Sequence, residues 1–372
     1  MDKLGIGIIG CGNISSAYLR LAPLFKALEM RAVADLDMER AGARAEEFGV
    51  RAHIVDDLLA AEDIDVVVNL TIPAVHYSVT RSILEAGKHA YSEKPLVLTL
   101  EEGEDLRELA ASQNLRVGSA PDTFLGGAHQ AVRAAIDAGE VGRIIGGTAH
   151  VMSHGMEAWH PDPDFFFQPG AGPVLDIGPY YVTNMIQLIG PVVRVGAMAS
   201  ATFPTRTIGS GPRQGETVPV DTPTNIHALL EFADGAIVTL GASWDVWDHD
   251  HGNMELYGEN GTLFVPDPNF FGGAPQIADA TKTRTPLDFS DHPLGVPNQD
   301  TRANYRCAGL ADMAQAIAEG REHRCNIDLA VHAVEVMTGI LQAAETRRFV
   351  EMTTSCTRPA ALSATEAAQL MA

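Results

Sequence analysis

The sequence predicts two folds in one chain: an α/β domain with a doubly wound parallel sheet, then an α+β domain on a mostly antiparallel sheet. Three observations carry this reading. A glycine-rich turn at Gly10 joins a short apolar strand to a helix, and strands alternate with helices as far as Ala120-Pro121. The run Asp65-Val66-Val67-Val68-Asn69-Leu70 has the continuous apolar centre of a strand covered on both faces. Beyond Pro121, strand-like runs follow one another directly, with Asp234-Gly235 and Glu259-Asn260-Gly261 as hairpin turns.

The elements follow in order. Residues 4–9 read as a strand, 14–28 as a helix, 31–34 as a second strand ending at Asp35, and 38–48 as an Ala- and Glu-rich helix. Strand 65–70, helix 76–86, strand 89–92, helix 101–112 and strand 116–118 complete a first domain, assigned to residues 1–121. The second domain, 122–355, opens with a helix at 127–138. Strand-like runs then fall near 143–152, 192–203, 225–233, 236–245, 254–258 and 261–265, and helices 174–189, 306–319 and 328–345 would cover one face of their sheet. Residues 266–304, rich in Pro, Gly, Asp and Asn, read as a long irregular loop, a kind of segment often tied to function or assembly. Residues 356–372 read as a tail with a loosely held helix.

A chain of 372 residues can bury two substantial cores. Its 26 Lys+Arg against 48 Asp+Glu give a net charge of -22, which offers no electrostatic footprint for nucleic acid and would be repelled by an anionic membrane. Cys11, Cys307, Cys325 and Cys356 lack metal-ligand spacing, and a chain of this size needs no disulfide staples. The N-terminus runs straight into a strand without room for a signal peptide, and no uninterrupted apolar run approaches transmembrane length. The expectation is a cytoplasmic enzyme with reduced thiols.

Gly10-Cys11-Gly12-Asn13-Ile14-Ser15 follows a strand and opens a helix. Gly10 permits the tight turn, and Gly12 lets the backbone approach a pyrophosphate at the helix N-terminus. Ser15 stands where the dinucleotide fingerprint has its third glycine, small enough for close helix–strand packing. Taken alone, the turn also fits other α/β proteins. Asp35 ends the second strand, where an acidic side chain binds the adenosine ribose hydroxyls and would repel a 2′-phosphate. No Arg or Lys follows in Leu36-Asp37-Met38, so NAD is expected over NADP. Thr71-Ile72-Pro73 with His76 follows the third strand; its backbone would pass beside the cofactor, and His76 is equally a helix-start residue without a ligand.

Two further clusters carry chemistry. Glu93-Lys94-Pro95 follows a strand whose carboxyl end faces the ligand crevice of an open α/β sheet, which points Lys94 toward catalysis. Gly172-Pro173-Val174-Leu175-Asp176-Ile177-Gly178-Pro179-Tyr180 opens a helix on which Asp176 and Tyr180 would be i and i+4 neighbours, with Asn184 extending the face. The bland reading makes Asp176 a helix cap and Tyr180 a packed aromatic.

Together, in this order, these residues resemble the glucose–fructose oxidoreductase/inositol dehydrogenase (Gfo/Idh/MocA) family over about residues 4–350. The resemblance implies a Rossmann domain, a second domain whose open sheet often makes the oligomer interface, hydride chemistry on sugars, polyols and related hydroxy compounds, and a cis Lys94-Pro95 bond. It also implies a homodimer or homotetramer. Many members carry His where this chain has Tyr180, followed by Asp where it has Asn184; Tyr180 is similar to glucose–fructose oxidoreductase and the dimeric dihydrodiol dehydrogenases.

Hydride leaves a carbinol carbon only as the hydroxyl proton is removed, so an acid/base must touch that oxygen. A tyrosine ordinarily ionises near pH 10, and serving at neutrality takes ~4 kcal/mol of stabilisation, much of which a nearby lysine ammonium could supply. The reading is Tyr180 as proton donor and acceptor, Lys94 polarising the reacting oxygen, and Asp176 orienting Lys94 or binding a neighbouring hydroxyl; a depressed Lys94 taking the proton is the alternative. Glu93 would contact the nicotinamide ribose or orient Lys94.

Asp122 at the domain junction, and Trp159 with His160 ahead of the catalytic helix, are candidate substrate contacts. In Trp244-Asp245-Val246-Trp247-Asp248-His249-Asp250-His251 two histidines could share a strand face, but hydride transfer to NAD needs no metal and none is expected. Two other functions fit the fold: an NAD-dependent glycoside hydrolase using transient oxidation, and a non-catalytic dinucleotide sensor, which would have no need of Lys94, Asp176 and Tyr180.

Overall fold

The computed structural model describes residues 3–372. Its first half runs β1 (Leu4–Ile9), α1 (Asn13–Leu21), β2 (Leu28–Ala34), α2 (Met38–Phe48), β3 (Arg51–His53), α3 (Val55–Ala60), β4 (Val66–Asn69), α4 (His76–Glu85), β5 (His89–Ser92), α5 (Leu100–Ser112) and β6 (Val117–Ser119). The six strands are parallel in the order β3-β2-β1-β4-β5-β6. The strand order reverses between β1 and β4, so a ligand crevice opens at their carboxyl ends. Ile6, Ile8, Val66, Val67 and Val68 are fully buried, as strands covered by helices on both faces require.

Two local expectations shift. The helix expected to reach residue 28 ends at Leu21, because Pro23 takes the chain into a 3-10 turn at Ala22–Leu24 and β2 begins early, at Leu28. The short elements β3 and α3 were not expected; β3 has three residues, none of them buried, too few to show a period.

The second half runs α6 (Gly127–Asp137), β7 (Ile144–Met152), α7 (Pro173–Asp176), α8 (Gly178–Leu188), β8 (Val192–Ser200), β9 (Thr205–Thr207), β10 (Thr217–Pro219), β11 (Asn225–Phe232), β12 (Ile237–Ser243), β13 (Met254–Gly258), β14 (Thr262–Val265), β15 (Gln276–Ala278), β16 (Arg284–Pro286), α9 (Ala308–Glu319), α10 (Ile327–Thr346), β17 (Val350–Glu351) and α11 (Ala364–Leu370). Nine strands form one sheet in the order β16-β15-β14-β13-β7-β12-β11-β8-β17, with only β7 and β12 parallel. Along β11, Ile226, Ala228 and Leu230 point into the core while His227 and Leu229 lie exposed on the other face. Helices α6, α8 and α10 pack on the core side.

The single helix expected over 174–189 is broken. Its first turn is α7, Ile177 interrupts, and α8 restarts at Gly178, since Pro179 has no N–H to continue the ladder. Asp176 and Tyr180 therefore sit on successive helices rather than one continuous face. The stretch 266–304 is not wholly irregular either: β15 and β16 extend the sheet at its edge, as three-residue strands too short and polar to signal themselves. The C-terminal tail is firmly docked, not loose. The Lys26 and Ala372 N–H groups bond the Leu370 and Leu24 carbonyls at 3.1 and 2.8 Å, and Leu362, Ala367 and Leu370 are buried. By length and composition α10 could cross a membrane, but it is mostly buried against β8, α8 and α5, as a core helix is.

Candidate active site

Gly10 adopts φ +102°, and a Cβ there would lie 2.7 Å from the Leu70 carbonyl, so only glycine lets the turn after β1 pass the end of β4. At Gly12 a Cβ would meet nothing within 4 Å, and the N-terminus of α1 carries no side-chain cap. An open cradle above an uncapped helix start fits a dinucleotide pyrophosphate, with Asn13 and Ile14 opening the helix. Ser15 is buried and donates to the Gly12 carbonyl at 2.7 Å. Asp35 accepts from the Cys11 and Asp37 N–H groups at 2.7 and 2.9 Å, which ties the end of β2 to the turn. Burial, with Asp35 beside it, pushes the Cys11 thiol up to about 11, so this cysteine is no nucleophile.

On the other side of the crevice, Thr71 follows β4 with its N–H and hydroxyl on Asn69 Oδ1, at 3.2 and 2.6 Å. His76 is buried, with Nδ1 2.7 Å from the Pro95 carbonyl and Nε2 3.0 Å from that of Thr71. Its ring is a strut between the loops after β4 and β5, which corrects the expectation of a cofactor-facing side chain. Thr71 and the exposed Pro73 border the crevice.

Lys94 crosses from the first domain to the second. The Lys94-Pro95 bond is cis. The ammonium Nζ donates to the Asp176 carbonyl at 2.6 Å and to its Oδ1 at 2.9 Å, and lies 5.4 Å from the Tyr180 ring centroid. Glu93 accepts from the Tyr18 hydroxyl at 3.0 Å and, through its other oxygen, from the Lys94 N–H at 3.0 Å. Burial alone would depress the Lys94 ammonium, but Tyr180, Asp176 and Glu93 outweigh it and hold the group above the ordinary lysine range. A lysine so held is a standing cation.

One further cation completes the cluster. Arg306, just before α9, donates from Nη2 to the Tyr180 hydroxyl at 3.3 Å. No sequence signal marked it: Arg306 read as the first residue of the helix expected over 306–319, which in the structure starts at Ala308, and an arginine there resembles a solvated charge. Tyr18 and Asn69 were missed too: one looks like a packed aromatic on α1, the other like the last residue of a strand.

Matches to known proteins agree with this geometry. Residues 4–120 match the model of an oxidoreductase family with an NAD-binding Rossmann fold, and residues 129–264 match a GFO/IDH/MocA C-terminal domain. An uncharacterised oxidoreductase of Schizosaccharomyces pombe is 30% identical over 318 residues, 80% of this chain and 84% of that one. The chain belongs to the Gfo/Idh/MocA oxidoreductase family.

Among its relatives, levoglucosan dehydrogenase of Pseudarthrobacter phenanthrenivorans is 27% identical over 330 residues, covering 79% of this chain and 83% of that protein. A dTDP-3,4-didehydro-2,6-dideoxy-alpha-D-glucose 3-reductase of Streptomyces violaceoruber is 31% identical over 242 residues, 64% and 69% of the two chains. The fold is shared with the solved apo form of a levoglucosan dehydrogenase, at TM-score 0.81 and 23% identity over 96% of this chain and all of that one.

The remaining expected contacts are less central to this Gfo/Idh/MocA site. Asp122 is only 2% exposed and accepts from the Gly309 N–H at 3.0 Å, so its carboxylate faces the start of α9 instead of a substrate. Asn184 turns away from Tyr180 into the core, bonding His129 and Gln187 at 3.3 and 3.0 Å. Trp159 is 62% exposed and packs edge-on to His160, which also meets Phe165 and Phe166; among the described residues none of these contacts joins Lys94, Asp176 or Tyr180. Trp244 is buried against Phe167, whereas Trp247 is exposed and stacks on His154. His251 stacks on His150 with centroids 4.0 Å apart, and no three His, Cys, Asp or Glu side chains among the described residues gather to hold a metal.

Proposed function

We propose that this enzyme transfers a hydride between NAD(H) and a carbinol or carbonyl carbon of a sugar, polyol or related hydroxy compound. The observation that carries the reading is Lys94 bonded to Asp176 at 2.9 Å and lying over Tyr180, at the end of the strand next to the β1–β4 crevice. The names of the relatives, a levoglucosan dehydrogenase and a deoxyhexose 3-reductase, support the substrate class.

In this reading Gly10, Gly12, Asn13 and Ile14 hold the pyrophosphate, Asp35 the adenosine ribose, and Thr71, Pro73 and Glu93 border the nicotinamide end. The bound cofactor supplies the hydride acceptor or donor. Tyr180 exchanges a proton with the substrate oxygen, Lys94 polarises that oxygen as a fixed cation, and Asp176 orients Lys94. Trp159 and His160 contact the far end of a larger substrate, on an exposed aromatic loop of the kind that sugars stack against. NAD is preferred over NADP: the Asp35 carboxylate would repel a 2′-phosphate, and the cations Arg40 and Arg44 of α2 are engaged, with Asp37 at 3.7 Å and Glu47 at 2.6 Å.

The enzyme works in the cytoplasm as a homodimer or homotetramer. Exposed Met198, Leu229 and Phe349 line a groove of about 740 Å³ beside β8 and β11, which supports the assembly.

The test is a panel of aldoses, polyols, anhydrosugars and inositols assayed for NADH formation, with Tyr180→Phe as control. A sugar oxidised by the wild type and slowed at least ~10²-fold in the variant, with NADH binding intact, is expected. Sugar release without net NADH would favour the hydrolase, and a variant slowed less than tenfold would remove Tyr180 from its role.

A further inference from the structure

Arg306 is built into the site with unusual care. Cys307 follows it in the left-handed region at φ +88°, a conformation uncommon for a side-chain-bearing residue, and its thiol is buried 3.6 Å from the Tyr18 carbonyl. Two residues on, the Gly309 N–H bonds Asp122; a Cβ on Gly309 would come within 2.9 Å of Asp122 Cβ and 2.8 Å of Cys325 Sγ, so the start of α9 seats this closely only with glycine. The guanidinium stays charged although buried, because Tyr180, Glu93, Tyr18 and Asp122 surround it and outweigh the cost of desolvation.

An arginine has donors and no acceptor. The Tyr180 oxygen therefore accepts from Arg306, and its own proton points elsewhere; among the described residues no protein group accepts it. The phenol is left with its hydrogen unclaimed, Arg306 on its oxygen and the Lys94 ammonium beside its ring.

We propose that Arg306 is a positioning residue for Tyr180: it aims the hydroxyl proton at the substrate oxygen and stabilises the phenolate left when that proton is given up. This rests on Tyr180 being the acid/base. In the reducing direction the Tyr180 O–H bond breaks as a new O–H bond forms on the substrate oxygen, while hydride from the reduced nicotinamide adds to the carbon. The charge left on Tyr180 lies between Arg306 and Lys94; in oxidation the phenolate takes the proton back. The charged and titratable groups facing this phenol are Lys94 from the end of β5, Asp176 from α7 and Arg306, with Glu93, Tyr18 and Asp122 grouped around the arginine.

The test combines spectroscopy and kinetics on the full-length protein. An ultraviolet phenolate titration of the wild type minus that of Tyr180→Phe isolates one phenol without substrate. Repeating the subtraction in an Arg306→Met background is expected to raise the midpoint by about one pH unit or more, a tenfold loss of phenolate stability, with Arg306→Lys falling between. With levoglucosan, D-glucose and 1,5-anhydroglucitol as substrates, Arg306→Met is expected to lower kcat roughly 10²-fold with KM and NADH affinity changed less than threefold. In the Tyr180→Phe background the same change is expected to cost little more, because the two residues act as one unit. An unmoved midpoint, or full additivity of the two losses, would overturn the proposal while leaving Tyr180 in its role. Wild-type activity in Tyr180→Phe would instead overturn the reading beneath it. Loss of melting temperature and NADH binding in step with kcat in both Arg306 variants would mark a purely structural arginine and also refute it.

Discussion

Replacing Asp122 by Asn should stabilise this protein at neutral pH. Asp122 is buried at the domain junction, and desolvation pushes its carboxyl up to about 6 from 3.8, against the opposing pull of the Gly309 N–H and Arg306. A group whose folded pKa is raised contributes stability that is complete below its unfolded value and is lost as pH climbs through the folded value. The window is therefore pH 4 to 6. A rise of about two units corresponds to about 3 kcal/mol at 1.36 kcal/mol per unit, the cost of keeping the ionised form buried at pH 7. Asparagine keeps a carbonyl acceptor for the Gly309 N–H, 3.0 Å away, and carries no charge. Arg306 loses one counter-charge but retains Glu93. The expected gain is about 1–3 kcal/mol at pH 7, shrinking to nothing near pH 4. Melting temperatures of wild type and variant, measured every half unit from pH 4 to 8, decide it. A difference that does not change with pH, or a variant less stable at pH 7 than at pH 4 relative to wild type, would refute the reasoning. The same variant keeping kcat/KM within tenfold would agree with a carboxylate turned away from substrate.

Gly10→Ala should abolish NADH binding in a fluorescence titration and cost more than 1 kcal/mol of stability, since a Cβ cannot fit 2.7 Å from the Leu70 carbonyl at φ +102°. Wild-type affinity in that variant would mean that the turn adopts another conformation. In acid the protein should lose stability between pH 6.5 and 4. Burial holds His129, His323 and His332 down at about 4, so each contributes stability that is present above 6.5 and lost as pH falls through 4. This loss runs opposite to the Asp122 contribution and is larger, with three groups against one. A denaturation midpoint flat between pH 6.5 and 4 would count against it.

How legible the molecule was in its sequence depended on the range of the signal. Local chemistry was readable. Gly10 and Gly12 announce a turn because backbone geometry excludes side chains there, and the all-apolar β4 announces a strand buried on both faces. Lys94, Asp176 and Tyr180 could be picked out through residue type, order and resemblance. Short elements were not readable: β3, β15 and β16 each have three residues and offer no period. The break at Ile177 hid behind a favourable helical spacing, although Pro179 marks it in retrospect.

What the sequence alone determined is the parallel first sheet, its dinucleotide turn and the mostly antiparallel second sheet. Each is encoded within a few consecutive residues by periodicity, φ preference or missing N–H groups. Only the tertiary structure decided who faces whom. It turned Asp122 and Asn184 inward, made His76 a strut between two loops, docked the tail on the first domain, and brought Arg306 from 126 positions away onto the Tyr180 hydroxyl. Those outcomes depend on which elements pack together, and the burial of a charge beside its partners leaves no periodic trace in the chain.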